Sequence, residues 1–198
     1  MSSEVIVAFI TGVVGPILLL YFKKILSKKE KRDIVEDTLR ESELVLKKLE
    51  QIKEDFHSDR VWICQFHNGG NFYPTGKSMT KFSMIYEVVG MNASSVQSQF
   101  QNIPVNLFSR SLNQLLENGI IEIPDFKDET IATFGLKYIA EDTGCKSSYI
   151  FSIKTLEGKY VATMGLDYTK KKTKLDGIQV SQIRTEAATL SGVLIGKI

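Results

Sequence analysis

Apolar residues fall along the chain in three regimes, and each predicts a different element. Residues 5–22 read VIVAFITGVVGPILLLYF, eighteen positions without a charge. As a helix that run rises about 27 Å, close to the hydrocarbon thickness of a bilayer. Residues 24–57 are charge-rich and hold no Gly or Pro. Their apolar positions Val45, Leu49, Ile52 and Phe56 are spaced four, three, four, one stripe of an amphipathic helix. From residue 60 onward the pattern shortens. Residues 60–66 (RVWICQF) and 81–89 (KFSMIYEVV) are dense in β-branched and aromatic residues and predict strands.

A helix over 105–117 ends at Asn118-Gly119, and a short strand follows at 120–123 before Pro124. A short helix is predicted at 136–141. Residues 147–155 and 159–168 flank Gly158 and form the best hairpin signal in the chain. Residues 178–198 carry Val180, Ile183, Ala187, Leu190 and Leu194 at helical spacing. The order predicts an α+β fold, one mainly antiparallel sheet with helices packed on it. Three segments result: an anchor over 1–23, a linker helix over 24–57 and a domain over 58–198. The Ser-, Gln- and Asn-rich stretch 91–102 is read as a mobile loop covering a pocket.

Charge distribution changes the picture more than composition. With 43% hydrophobic and 24% charged residues the chain is of ordinary globular make-up, and its net charge of +2 gives no argument for nucleic acid. Yet Lys23, Lys24, Lys28, Lys29, Lys31 and Arg32 crowd together just after the apolar run. A secretory signal carries its positive charges before such a run, so a retained anchor in the lipid bilayer fits the order. The positive-inside rule then places the domain in the cytoplasm, beneath a single-pass inner or plasma membrane. The alternative is a helix buried in the domain. Ala8 and Gly12 make one small-xxx-small pair. A second basic run, Lys170-Lys171-Lys172-Thr173-Lys174, reads as a solvated loop, or as a contact to anionic lipid head groups.

Candidate chemistry concentrates in residues 66–79, FHNGGNFYPTGKSM. His67 is of the right type for a general base, but it lacks a nucleophile–orienter set, and no G-x-S-x-G elbow is present. The other histidine, His57, lies on the linker helix, and the two cysteines, Cys64 and Cys145, form no metal-ligand spacing. The expectation is no catalytic residue, no metal and two reduced core thiols. A Walker loop fails by one position: five residues, not four, separate Gly70 from Gly76-Lys77-Ser78, and a strand follows where a helix is required. A structured turn, with Asn and Gly supplying positive φ, competes with a ligand or partner surface at the end of the sheet.

The stretch CKSSYIFSIKTLEGKYVATMGLDY, followed by an Ala- and Leu-rich helix, resembles the GAF family of small α+β sensor domains. RSLNQLLENGIIEIPD resembles the GAF helix and strand that end in an aspartate, here Asp125. The resemblance covers about residues 30–198. It implies a pocket on the sheet face opposite the terminal helices, and a homodimer formed through helices 34–56 and 178–198. It places Phe66, His67, Asn68, Tyr86, Glu87 and Asp125 around the pocket mouth. Phe66 read alone is core, Glu87 a solvated strand residue and Asp125 a turn cap. No signature of the cyclic-nucleotide, bilin-attaching or methionine-sulfoxide-reducing subtypes is present. The expected function is therefore sensory or ligand binding without catalysis or a cofactor, for an unknown small ligand or protein partner. A single membrane helix, a helical linker and a small α+β domain also resemble the T-type holins of T4-like phages, which form membrane lesions; the alternative function is lysis of that kind.

Overall fold

In the computed structural model, residues 3, 12, 14–27, 34–91 and 93–195 are described. Residues 5–11 and 13 of the apolar run predicted to anchor the chain, with Lys28, Lys29, Lys31 and Arg32, lie outside them. The chain divides into two compact units, residues 1–40 and 41–198. In the first, α1 (Gly15–Ser27) exposes Ile17, Leu18, Leu19, Leu20, Tyr21 and Phe22. Among the described residues no helix is long and apolar enough to cross a membrane.

The second helix, α2 (Ile34–Asp55), leads into the second unit. There β1 (Arg60–Asn71), β2 (Ser78–Val89), β3 (Ile103–Pro104), β4 (Ile120–Ile123), β5 (Ser147–Lys154) and β6 (Tyr160–Tyr168) form one sheet. Its order is β3-β2-β1-β6-β5-β4, and every neighbouring pair is antiparallel. Between the strands lie α3 (Ser109–Asn118) and α4 (Lys137–Asp142), and α5 (Gly177–Leu194) closes the chain. The α+β architecture is the one the sequence predicts.

Period-two alternation divides the sheet into two faces. Val61, Ile63, Tyr149, Phe151, Ile153, Ala162, Met164 and Leu166 face one way, onto Val45, Leu49 and Ile52 of α2 and Ile183, Ala187 and Leu190 of α5. The predicted stripe of the linker helix is thus its core face. Asp176 caps α5: its side chain accepts from the N–H of Gln179, whose own side chain accepts from the N–H of Asp176. Gly119 ends α3 in the left-handed region at φ 76°, the conformation the Asn-Gly signal anticipates.

Boundaries differ from the sequence reading in the first hairpin, where β2 begins at Ser78 rather than residue 81, and ahead of α3. β1 runs to Asn71 rather than ending at residue 66, because His67, Asn68 and Asn71 pair with Lys81, Thr80 and Ser78. An irregularity between Asn68 and Asn71 absorbs the double glycine, so only 72–77 form the turn. The helix predicted over 105–117 is a 3-10 turn at Val105–Phe108 followed by α3, and the two-residue β3 precedes it.

Candidate functional site

The other face of the sheet is built from the alternate residues. Arg60, Trp62, Cys64 and Phe66 follow one another along β1, beside Thr163 and Asp167 of β6 and Ser148 and Ile150 of β5. Opposite them stand Ser111, Leu112 and Leu115 of α3, then Leu136, Ile139 and Ala140 around α4. Between these layers lies a cavity of about 100 Å³. Val96 and Phe100 close one side of it.

The floor carries a buried ion pair. Arg60 is 2% exposed and Asp167 6%. The guanidinium donates from Nε to Asp167 Oδ2 (2.9 Å) and from Nη1 to the Ser94 carbonyl (3.0 Å), and its Nη2 stands 2.8 Å from the same Oδ2 as an ion pair. Asp167 also accepts from Trp62 Nε1 (3.0 Å) and Ser148 Oγ (2.7 Å). Charged groups are kept ionised away from water by such partners, and removing one strands the other. A close approach fixes the indole: Trp62 lies against Gly165, where a Cβ would stand 2.1 Å from its ring. No side chain larger than hydrogen fits at that position without moving Trp62.

Both cysteines line the cavity. Burial pushes the thiols of Cys64 and Cys145 far up from their ordinary range. They are thereby held as neutral S–H groups, poor nucleophiles and poor metal ligands. Among the described residues no cluster of three or more His, Cys, Asp or Glu side chains is placed to hold a metal ion.

The six residues picked from sequence are not brought together. Phe66 lines the cavity and meets the edge of Tyr160 with ring centroids 4.9 Å apart. Glu87 sits on the cavity face opposite Trp62 in the β1–β2 ladder, its Oε1 3.9 Å from Arg60 Nε. It holds the covering segment by accepting from the backbone N–H groups of Val96 (2.9 Å) and Gln97 (3.2 Å) and from the Ser95 hydroxyl. Tyr86, one residue back, faces the other way and meets Ser42 of α2 (3.3 Å). His67 also points to that face, where Nε2 meets Ser83 Oγ at 3.0 Å. Asn68 accepts from the N–H of Gly70 within the hairpin. Asp125 caps a turn through the N–H of Lys127 and pairs with Lys172, whose side-chain hydrogen bond is the main cause holding its carboxyl below the ordinary range. The covering segment, read as mobile, is pinned by Glu87, by Arg60 and by Gln97 Nε2 donating to the Ile85 carbonyl at 3.0 Å.

Arg60, Trp62, Ser148 and Asp167 escape sequence reasoning. The available signal was alternation: in RVWICQF and in GLDY, polar residues occupy the phase opposite to Val61, Ile63 and Leu166.

No protein-family model matches the sequence, and no curated protein matches it. Solved structures do match in three dimensions. A far-red cyanobacteriochrome photoreceptor aligns with a TM-score of 0.63 at 14% identity, over 91% of this chain and 98% of that one. The blue-light-absorbing form of the Thermosynechococcus elongatus PixJ GAF domain aligns with a TM-score of 0.62 at 12% identity, over 81% and 87%. The phycoerythrobilin-bound GAF domain of a cyanobacterial phytochrome aligns with a TM-score of 0.62 at 13% identity, over 82% and 89%. At such identities the likeness is one of architecture: the chain has a GAF-like fold.

Proposed function

We propose that the chain is a sensory or ligand-binding protein of GAF-like fold, without a reaction of its own, whose small-molecule ligand occupies the cavity between sheet and α3–α4. The observation that carries this reading is the buried Arg60–Asp167 pair in the cavity floor. A buried ion pair is a costly way to stabilise a core and is better suited to orienting something bound beside it. Support for a non-catalytic role comes from the protonated thiols and from His67, whose ring turns to Ser83 on the opposite face.

The phycoerythrobilin of the phytochrome relative does not fit here. A linear tetrapyrrole has four rings, and the cavity of about 100 Å³ lies well below the roughly 300–1,000 Å³ of pockets for drug-sized ligands. Covalent attachment starts from a thiolate, and both thiols here are held neutral.

The test is mass spectrometry of small molecules released on heat denaturation of the purified full chain. A compound released in molar proportion by the native chain, and lost from Ala140→Phe, supports the reading. Absence of any such compound, together with no thermal shift from a metabolite library, overturns it.

Membrane anchoring by the N-terminal segment completes the proposal, with the domain on the cytoplasmic side and the chain dimerising through α2 and α5. The six consecutive exposed apolar side chains of α1 support the first part, since water is a poor solvent for such a surface. Exposed Leu46 of α2 and Ile178 of α5 support the second. Resistance of the full chain to alkaline extraction from membranes is the expected result. A C-terminal reporter active outside the cytoplasm would instead favour the holin-type reading.

A further inference from the structure

We infer that the ligand of this cavity is a small, uncharged, mainly apolar molecule carrying a single hydrogen-bond acceptor, such as a hydroxyl or carbonyl oxygen. The inference rests on the cavity reading above and adds the ligand's chemical class.

Three observations set that class. The first is size. A cavity of about 150 Å³ lined by apolar side chains holds benzene, so about 100 Å³ admits a comparable or smaller body. The walls facing it are Phe82, Met84, Leu112, Leu115 and Ile139, which offer contact and no hydrogen bond.

The second is charge. One guanidinium, Arg60, stands among two buried carboxylates, Asp167 at 2.8 Å and Glu87 at 3.9 Å. An anion entering here would shed its hydration and meet a lining in which Arg60 is already neutralised by Asp167, with the Glu87 carboxylate a further 3.9 Å from the guanidinium outside the lining. A cation would meet carboxylates whose oxygens are already engaged. Asp167 accepts from Arg60, Trp62 and Ser148, and Glu87 from Ser95, Val96 and Gln97. A cation thus finds no open partner, and an anion finds only a guanidinium that the two carboxylates already outnumber.

The third is a surplus of donors. A guanidinium carries five N–H groups. One of Arg60's is donated to Asp167 and one to the Ser94 carbonyl, and Nη2 directs a third at the same Asp167 oxygen as an ion pair, so at least two have no hydrogen-bond acceptor among the described residues. A neutral acceptor oxygen satisfies one of them without adding charge.

Trp62 is the only tryptophan of the chain and lines the cavity, so its fluorescence reads occupancy directly. The full chain is reconstituted in phosphatidylcholine vesicles, which contribute no indole. It is titrated at neutral pH with cyclopentanol, cyclopentylammonium and the slightly larger cyclopentanecarboxylate, three probes on one ring that do not absorb with tryptophan. The expected result is a saturable change with cyclopentanol and at least tenfold weaker binding of both ions. Glu87→Gln, which removes the negative charge 3.9 Å from Arg60, narrows the gap between alcohol and carboxylate. Ala140→Phe fills the cavity and abolishes the response; Ala140→Leu repeats the control with a smaller side chain if the first variant does not fold. Carboxylate or ammonium binding as tightly as the alcohol overturns the ligand class and leaves the cavity reading standing. A response to none of the probes, or one that survives both Ala140 variants, overturns the two together.

Discussion

The two faces of the sheet are built from the same strands, and they differ in almost everything else. On the helix side, Leu49 and Ile52 of α2 and Ile183 of α5 interlock with Ile63, Phe151 and Met164, all apolar and all buried. On the other side, the same strands place Arg60, Asp167, Ser148 and Thr163 in the interior, lining a cavity with two thiols. Close packing stabilises a fold by dispersion and exclusion of water, and tolerates no void. A face that lines a cavity and buries charge gives up part of that stabilisation. Under the proposed function, the difference leaves the fold to one side and binding to the other.

The largest effect expected from breaking this comparison comes from the polar side. Asp167→Ala leaves Arg60 buried without its partner and is expected to cost about 3–5 kcal/mol in chemical denaturation. It should also change the emission of Trp62, which loses its indole acceptor. Leu49→Ala on the helix side removes a fully buried side chain and is expected to cost about 2–5 kcal/mol. Here Trp62 emission in the folded state stays unchanged, and a shift in it would show that the faces are coupled. Gly165→Ala pushes a methyl group into the Trp62 ring and is expected to cost about 1–3 kcal/mol, with the emission maximum displaced.

The smallest effect concerns acid. Burial raises the Asp59 carboxyl, but N–H donation from Lys170 and Thr169 and the Lys170 side chain outweigh it, and the net shift is downward. A carboxyl lowered in the folded state contributes stability above its ordinary value of 3.8, and that stability is lost as pH falls through the lower folded value. Urea midpoints should fall on acidification below about pH 4, and less steeply in Asp59→Asn. An equal slope in both would remove Asp59 from the account.

What the sequence revealed follows the same division. The stripe Val45–Leu49–Ile52–Phe56 and the runs around Phe151 and Met164 were legible because a buried apolar face imposes its period on the chain. The hairpin about Gly158 was legible because a tight turn demands that residue type. The cavity was not legible. Arg60 and Asp167 are 107 positions apart, and nothing local marks them as partners. FHNGG stands out in composition, but that composition reflects an extended hairpin and its irregular pairing. Glu87 was noticed for its neighbourhood, yet its bond to the covering segment depends on a register shift between Ile63 and Cys64 that no pattern announces.

The strand order has one more consequence. The two strands at the centre of the sheet, β1 and β6, are the first and the last of the six to be made. A ribosome must therefore have translated past residue 168 before β1 gains its second neighbour, and the early strands wait with an open edge until then. Premature termination would remove the middle of the sheet rather than trim its margin, which leaves a truncated product no smaller version of the native architecture to adopt.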